Sequence, residues 1–250
     1  NAGLVGSEMC IRDRRKDYAQ KAKRYGHTHD FSDTKEDLHV KALEHIMPYI
    51  DRYAIESIID IGSGTARPLL YLQDKRPQLK ITGIEPVKEF IDIAEANGFP
   101  EGDIIQGYGD RLPFPNDSFD AACEFGVLHH ASHPKRIVSE MMRVSKKAIF
   151  ISDTNRFGSG GILSGIVKFI IYKLGLWNAL LFVLRGGKRW VLTDHDSVVY
   201  SYSVYDSYKA LYTWADHIIL IPLNSDKKKK TWFSPLFNSK NVLLCAFRNR

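Results

Sequence analysis

The chain has 250 residues, 44% of them apolar and 26% charged, a make-up that excludes collagenous, low-complexity and disordered classes and sets the scale at one large domain or two small ones. Cys10, Cys123 and Cys245 cannot build a disulfide framework and include no C-x-x-C pair of zinc-site spacing, which points to a reducing, cytoplasmic setting without a metal. The net charge of +6 is uneven, because residues 157–250 hold 13 Lys/Arg against five Asp, a net +8, while the remainder is net −2. A basic last third suits phosphate, anionic lipid or nucleic acid, and is as commonly a solubilising surface.

Residues 4–14, LVGSEMCIRDR, resemble the in-frame translation of a sequencing adaptor, so residues 1–14 are set apart as an assembly artefact. Residues 15–54 are expected to form an N-terminal helical arm. Within it, residues 16–25 suit a first helix, His27 and His29 a turn, and residues 34–49 an amphipathic helix with Leu38, Ala42, Leu43 and Ile46 on one face, ahead of Pro48. Residues 55–250 are expected to form the main domain.

That domain starts on a short β-branched strand, 57–61, which runs into Gly62-Ser63-Gly64-Thr65 and a helix through Leu72. A second strand, 79–84, ends at Glu85-Pro86, and residues 87–97 are helical in pattern with Gly98 as a stop. Short strands follow at 103–106 and 119–125, then a helix at 134–144 and a fifth strand at 148–153. Strands alternating with helices at this rhythm imply right-handed βαβ units and a parallel sheet covered on both faces. Beyond Asp153 the texture changes. The Gly158–Gly161 break opens an apolar segment, 162–184, too short of an uninterrupted span of about 18–20 residues to cross a bilayer because Lys168 and Lys173 interrupt it. Tyr205, Tyr208 and Tyr212 share a helical face, and two last strands, 217–222 and 241–247, flank a loop with Lys227 to Lys230.

A Gly-rich turn between strand and helix lets a ligand approach the backbone, and the helix N-terminus offers unpaired N–H groups. A dinucleotide fingerprint needs a third glycine where Arg67 stands, which weakens that reading. Asp60-Ile61-Gly62-Ser63-Gly64, with Glu85 25 positions after Asp60, fits better. A carboxylate at Glu85 can accept both hydroxyls of a ribose, and Asp60 is placed to meet a cationic amino group.

At these residues the chain resembles the class I S-adenosylmethionine-dependent methyltransferases, in particular the small-molecule, type 11 subgroup that includes ubiquinone and menaquinone biosynthetic enzymes. Leu112-Pro113-Phe114 with Ser118-Phe119-Asp120, Val127-Leu128-His129-His130, and Glu140-x-x-Arg143-Val144 resemble the subgroup's further signatures in order and spacing. The resemblance covers residues 55–153. It implies an α/β fold, Rossmann-like and doubly wound, with a mainly parallel seven-stranded sheet, an antiparallel last strand and a helical substrate cover inserted after strand five, over residues 157–212. It implies S-adenosylmethionine as cofactor, held by Asp60, Gly62, Ser63, Gly64, Glu85 and Pro86, with Tyr108, Asp110, Glu124 and Phe125 completing the site. Two positions depart from the pattern: Tyr108 stands where the subgroup has an aspartate toward the adenine, leaving Asp110 as the nearby acid, and Ser145-Lys146-Lys147 replaces a Pro-Gly-Gly turn.

A methyl transfer needs alignment of a nucleophile more than a triad or a metal. If the acceptor is a hydroxyl, His130 or His129 is the candidate base, against a simple capping role. The expected function is methyl transfer to a small-molecule acceptor. An apolar cover rimmed by Lys168, Lys173, Arg185, Lys188 and Arg189 points to a lipophilic or anionic acceptor and admits peripheral membrane contact. The alternatives are an RNA methyltransferase, which the absence of an N/D-P-P-Y/F motif at Glu124-Phe125-Gly126-Val127 disfavours, and a non-catalytic S-adenosylmethionine-binding module. The residues encode neither acceptor identity nor oligomeric state.

Overall fold

The structure is a computed structural model that describes residues 37–193, 197–224 and 235–249. The expectations for residues 1–36, including the adaptor segment, the first helix, His27 and His29, and those for Lys227 to Lys230 lie outside the described residues. In chain order the elements are α1 (Leu38–Arg52), β1 (Ser57–Ile61), α2 (Arg67–Lys75), β2 (Lys80–Glu85), α3 (Lys88–Ala96), β3 (Ile104–Gln106), β4 (Phe119–Phe125), α4 (Pro134–Val144) and β5 (Ser145–Thr154). There follow α5 (Ile162–Lys173), α6 (Trp177–Leu184), β6 (Trp190–Thr193), β7 (Ser197–Tyr200), α7 (Tyr205–Trp214), β8 (His217–Pro222) and β9 (Asn241–Phe247).

Seven strands form one sheet in the order β3-β2-β1-β4-β5-β9-β8, and β6 pairs with β7 in a separate two-stranded sheet. β1 to β5 are parallel, whereas β9 runs antiparallel to both β5 and β8. The period-2 alternation of the strands splits the apolar side chains between two cores. Ile58, Ala121, Cys123, Phe150 and Cys245 face α1, α2 and α3, which contribute Leu43, Ile46, Leu69, Leu72 and Ile91. Ile59, Ala122, Ile149, Ile151 and Leu244 face α4 and α7, which contribute Val138, Met141 and Leu211. Every residue of β4 is buried, as a central strand covered on both faces requires. α1 continues through Pro48 to Arg52, because Pro48 removes one hydrogen bond while Ile46 and Ile50 stay locked in the core.

Two family signatures are one structural device. Glu140 Oε2 on α4 accepts from Leu112 N at 2.7 Å, while Arg143 donates to Leu112 O at 3.1 Å, to Phe114 O at 2.6 Å and to Glu140. The Leu112-Pro113-Phe114 loop has no ladder of its own to satisfy its backbone, and the Glu140–Arg143 pair supplies those partners. The loop that carries Tyr108 and Asp110 is thereby tied to α4. Where the family has Pro-Gly-Gly, Ser145 and Lys146 simply begin β5, and their carbonyls accept from Arg248.

Between β5 and β8 the chain leaves the sheet. α5 and α6 are bent by 110° at a short break. α5 is anchored on its inner side by Gly165, the only buried residue of the helix, where a Cβ would run into the Phe157 carbonyl oxygen. Phe157 also meets the rings of Phe169 and Tyr172, and Arg156, paired with Asp206, lies over Tyr172 and Trp177.

Candidate functional site

The strand order reverses between β1 and β4, and in such sheets ligands sit outside the carboxyl ends of the strands at that point. A cavity of about 370 Å³ opens there, with Gly62, Gly64, Glu85, Tyr108, Phe125 and His130 in its wall. The turn after β1 shapes it. Gly62 has φ +76 and Gly64 φ +54, conformations that cost a side chain strain. A Cβ on Gly62 would lie 2.7 Å from Val127 Cγ2, while one on Gly64 would meet nothing within 4 Å. Gly62 is therefore required for packing as well as conformation, and Gly64 for conformation.

Glu85 closes the turn. Its Oε2 accepts from Gly64 N and its Oε1 from Val87 N, each at 2.9 Å. Burial pushes its carboxyl up to about 7, against the opposing pull of those two N–H groups. Asp60, one position before the end of β1, is buried and accepts from Cys123 Sγ at 3.5 Å; burial, reinforced by the Glu85 charge, raises it too to about 7. Glu124 at the end of β4 is fully buried, accepts from Val127 N at 2.9 Å through Oε2, and is held well above the usual carboxylate range by burial and by Asp153. Its Oε1, like Ser63 Oγ, is buried with no hydrogen-bond partner.

Four neighbouring parallel strands, β1, β2, β4 and β5, thus each carry a buried acid at the last position (Glu85) or one before it (Asp60, Glu124 and Asp153). Burial holds Asp60, Glu85 and Glu124 partly protonated, and a ligand carrying positive charge beside a ribose would favour their ionised forms. Sequence reasoning missed Asp153 as a site residue. The available signal was that it stands at the end of its strand as Asp60 and Glu85 stand at the ends of theirs. Asp153 holds His129, accepting from the ring Nδ1 at 2.7 Å and from the backbone N at 3.1 Å. His130 Nδ1 lies 2.9 Å from Val198 O on β7; since a carbonyl only accepts, Nδ1 is the donor and Nε2 the basic nitrogen. The two imidazoles pack against each other with centroids 3.9 Å apart. A second residue without a sequence signal is His39, half-buried beside Phe125 and Gly126, its imidazole pulled down by desolvation.

Of the residues named from sequence, Gly62, Gly64, Glu85, Pro86, Tyr108, Asp110, Phe125 and His130 line the cavity. Asp60, Ser63, Glu124 and His129 do not line it. A second cavity, about 500 Å³, shares Ala131 and Ser132 with the first and reaches Phe182, Arg185, Lys188 and Arg189 of the inserted segment. Among the described residues no group of three or more His, Cys, Asp or Glu stands in a metal-holding arrangement.

Residues 59–151 match the family described as "Methyltransferase domain". That stretch is similar to the methyltransferase domains of the class I, type 11 group. It is 33% identical over 92 residues to the demethylmenaquinone methyltransferase of Thermotoga maritima, a match that takes in 37% of this chain and 40% of that protein. The corresponding enzyme of Deinococcus radiodurans is 32% identical over 96 residues, covering 35% of this chain and 37% of that protein. The chain therefore spans less than half the length of these curated relatives. In structure, the chain resembles a SAM-dependent methyltransferase of Thermotoga maritima at TM-score 0.56 and 16% identity, covering 93% of this chain and 97% of that one. The YcgJ protein of Bacillus subtilis follows at TM-score 0.52 and 16% identity over 84% of this chain and 98% of that one. Family and fold imply S-adenosylmethionine as the cofactor. The residues present fit it: a cradle free of Cβ atoms at Gly62 and Gly64, a buried carboxylate at the end of β2, and an acidic surround for a sulfonium and an ammonium group.

Proposed function

We propose that the protein transfers the methyl group of S-adenosylmethionine to a small-molecule acceptor that is lipophilic and carries negative charge. The observation that carries the reading is the Gly62–Gly64 turn closed by the buried Glu85 carboxyl at the end of β2, with Asp60 behind it, a cradle that suits a ribose-bearing ligand with a positive charge beside it. When bound, S-adenosylmethionine supplies an electrophilic methyl on a positively charged sulfur. Glu85 holds the ribose, Asp60 and Glu124 balance the positive charge from outside the cavity lining, and Tyr108 with Asp110 borders the adenine end. Their combined effect is alignment and the exclusion of water.

The acceptor occupies the second cavity, whose shared wall at Ala131 and Ser132 brings it alongside the first. Phe182 and Tyr202 offer it apolar surface, and Arg185, Lys188 and Arg189 offer it cations. Residues 157–212 act as the substrate cover. For a hydroxyl acceptor His130 takes the proton at Nε2, its Nδ1–H being held by Val198 O. His129, fixed by Asp153, supports the His130 ring face. Two free, buried cysteines, Cys123 and Cys245, support a cytoplasmic setting.

Calorimetric titration with S-adenosylmethionine and with NAD, on the wild type and on Glu85→Ala, tests the reading. Binding of the former alone, weakened by the variant, is expected, followed by release of S-adenosylhomocysteine when acidic amphiphiles are added. Binding of NAD in its place, or a cofactor affinity unmoved by Glu85→Ala, would sink it.

A further inference from the structure

The segment between β5 and β7 is built unlike the rest of the surface. On α5, Leu163, Ile166, Val167 and Ile170, with Leu174 just past its end, recur at helical spacing and are exposed, Leu163 at 77%. On α6 no residue is buried, and Val183 and Leu184 are 74% and 71% exposed. The inner anchors Gly165, Phe157 and Trp177, whose Nε1 donates to Ser201 Oγ at 2.8 Å, show that the elbow is seated on the domain with its apolar side turned outward. An exposed apolar surface of this size on an otherwise well-packed domain marks a surface that something covers.

The charge pattern identifies what. No Asp or Glu stands between Asp153 and Asp194, whereas the elbow and its continuation carry Lys168, Lys173, Arg185, Lys188 and Arg189. A second copy would bring two such cationic rims face to face, which is unfavourable. A bilayer with acidic headgroups accepts both the cations and the apolar side chains. The helices are 12 and 8 residues long and bent by 110°. Neither reaches the roughly 20 residues that a crossing requires, so the elbow lies in the interface. We propose that the α5–α6 elbow docks the protein on an anionic membrane surface. Docking sets the second cavity, which Leu181 and Phe182 of α6 and Arg185 just after it line, at the boundary between headgroups and acyl chains. The proposal does not depend on methyl transfer.

Co-sedimentation of the full chain with vesicles tests it, comparing pure phosphatidylcholine with vesicles containing about one-third phosphatidylglycerol. The wild type is expected to bind the anionic vesicles at low salt, at least about 10-fold more tightly than the neutral ones, and to be released by salt. Leu163→Asp/Val183→Asp, both at exposed positions outside either cavity, should abolish binding, and Lys173→Glu should weaken it about 5-fold or more. Far-UV circular dichroism and urea unfolding of each variant verify that the fold is retained. No binding to anionic vesicles, equal binding to neutral ones, or full binding by the double variant would overturn the proposal. So would a dimer in light scattering that Leu163→Asp/Val183→Asp dissociates, since the elbow would then be covered by a second copy.

Discussion

Glu85→Gln removes a charge that the fold buries. The carboxyl is raised from its ordinary 4.5 to about 7 by burial, even though Gly64 N and Val87 N donate to it. A carboxyl with a raised folded pKa opposes folding as it ionises. Its penalty is absent below 4.5, grows as the unfolded chain ionises, and levels off above about 7. The linkage relation gives a penalty of about 1 kcal/mol near pH 5.5 and about 3 kcal/mol near pH 8, a difference of about 2 kcal/mol. Gln carries no such penalty, but it presents one acceptor where the carboxylate presents two, an offset that does not depend on pH. Urea unfolding of wild type and variant at the two pH values, without cofactor, cancels the offset. The gap should move by about 2 kcal/mol in favour of the variant on going to the higher pH, and relaxation of Asp60, whose carboxyl the Glu85 charge raises, adds in the same direction. A gap constant within about 0.5 kcal/mol, or moving the other way, would refute the account of Glu85 as a buried, strained carboxyl. Since a ribose and a cation favour the ionised acids, wild-type affinity for S-adenosylmethionine should rise by up to about 10-fold per pH unit per group below about pH 7, with a shallower slope in the variant.

Gly62→Ala should cost at least about 10-fold in cofactor affinity, because φ is +76 and the new Cβ meets Val127 at 2.7 Å. Adding Val127→Ala should restore only the packing part, as read by calorimetry. Arg143→Ala removes the donors to Leu112 O and Phe114 O and half of the pair with Glu140. A stability loss of about 2 kcal/mol in urea is expected, with lowered cofactor affinity through the Tyr108–Asp110 loop; Arg143→Lys should recover only part, since one ammonium cannot reproduce the planar fork. His130→Ala should lower kcat about 100-fold with a hydroxyl acceptor while leaving the Kd for S-adenosylmethionine within about 2-fold; an unchanged kcat would remove His130 as the base.

The sequence by itself determined the alternation of strands and helices, because period-2 and period-3.6 patterns and Gly stops are local properties of the chain. β4 (Phe119–Phe125), α4 (Pro134–Val144), β8 (His217–Pro222) and β9 (Asn241–Phe247) stand where the residues place them. So does the Asp60 to Gly64 turn, since glycine in a left-handed conformation and an acid at a strand end are visible as letters. Tertiary structure alone decided which residues meet. Asp153 and His129 are 24 positions apart and His130 and Val198 are 68 apart, and nothing in local periodicity encodes such pairings. It also decided that Asp60 and Glu124 are buried and kept out of the cavity lining, because burial on a strand depends on what packs above it. The apolar 162–184 segment shows the same limit. Its composition suits a buried helix pair as well as an exposed elbow, and only the packing of Gly165 on Phe157 turns one face inward and leaves the other to the outside.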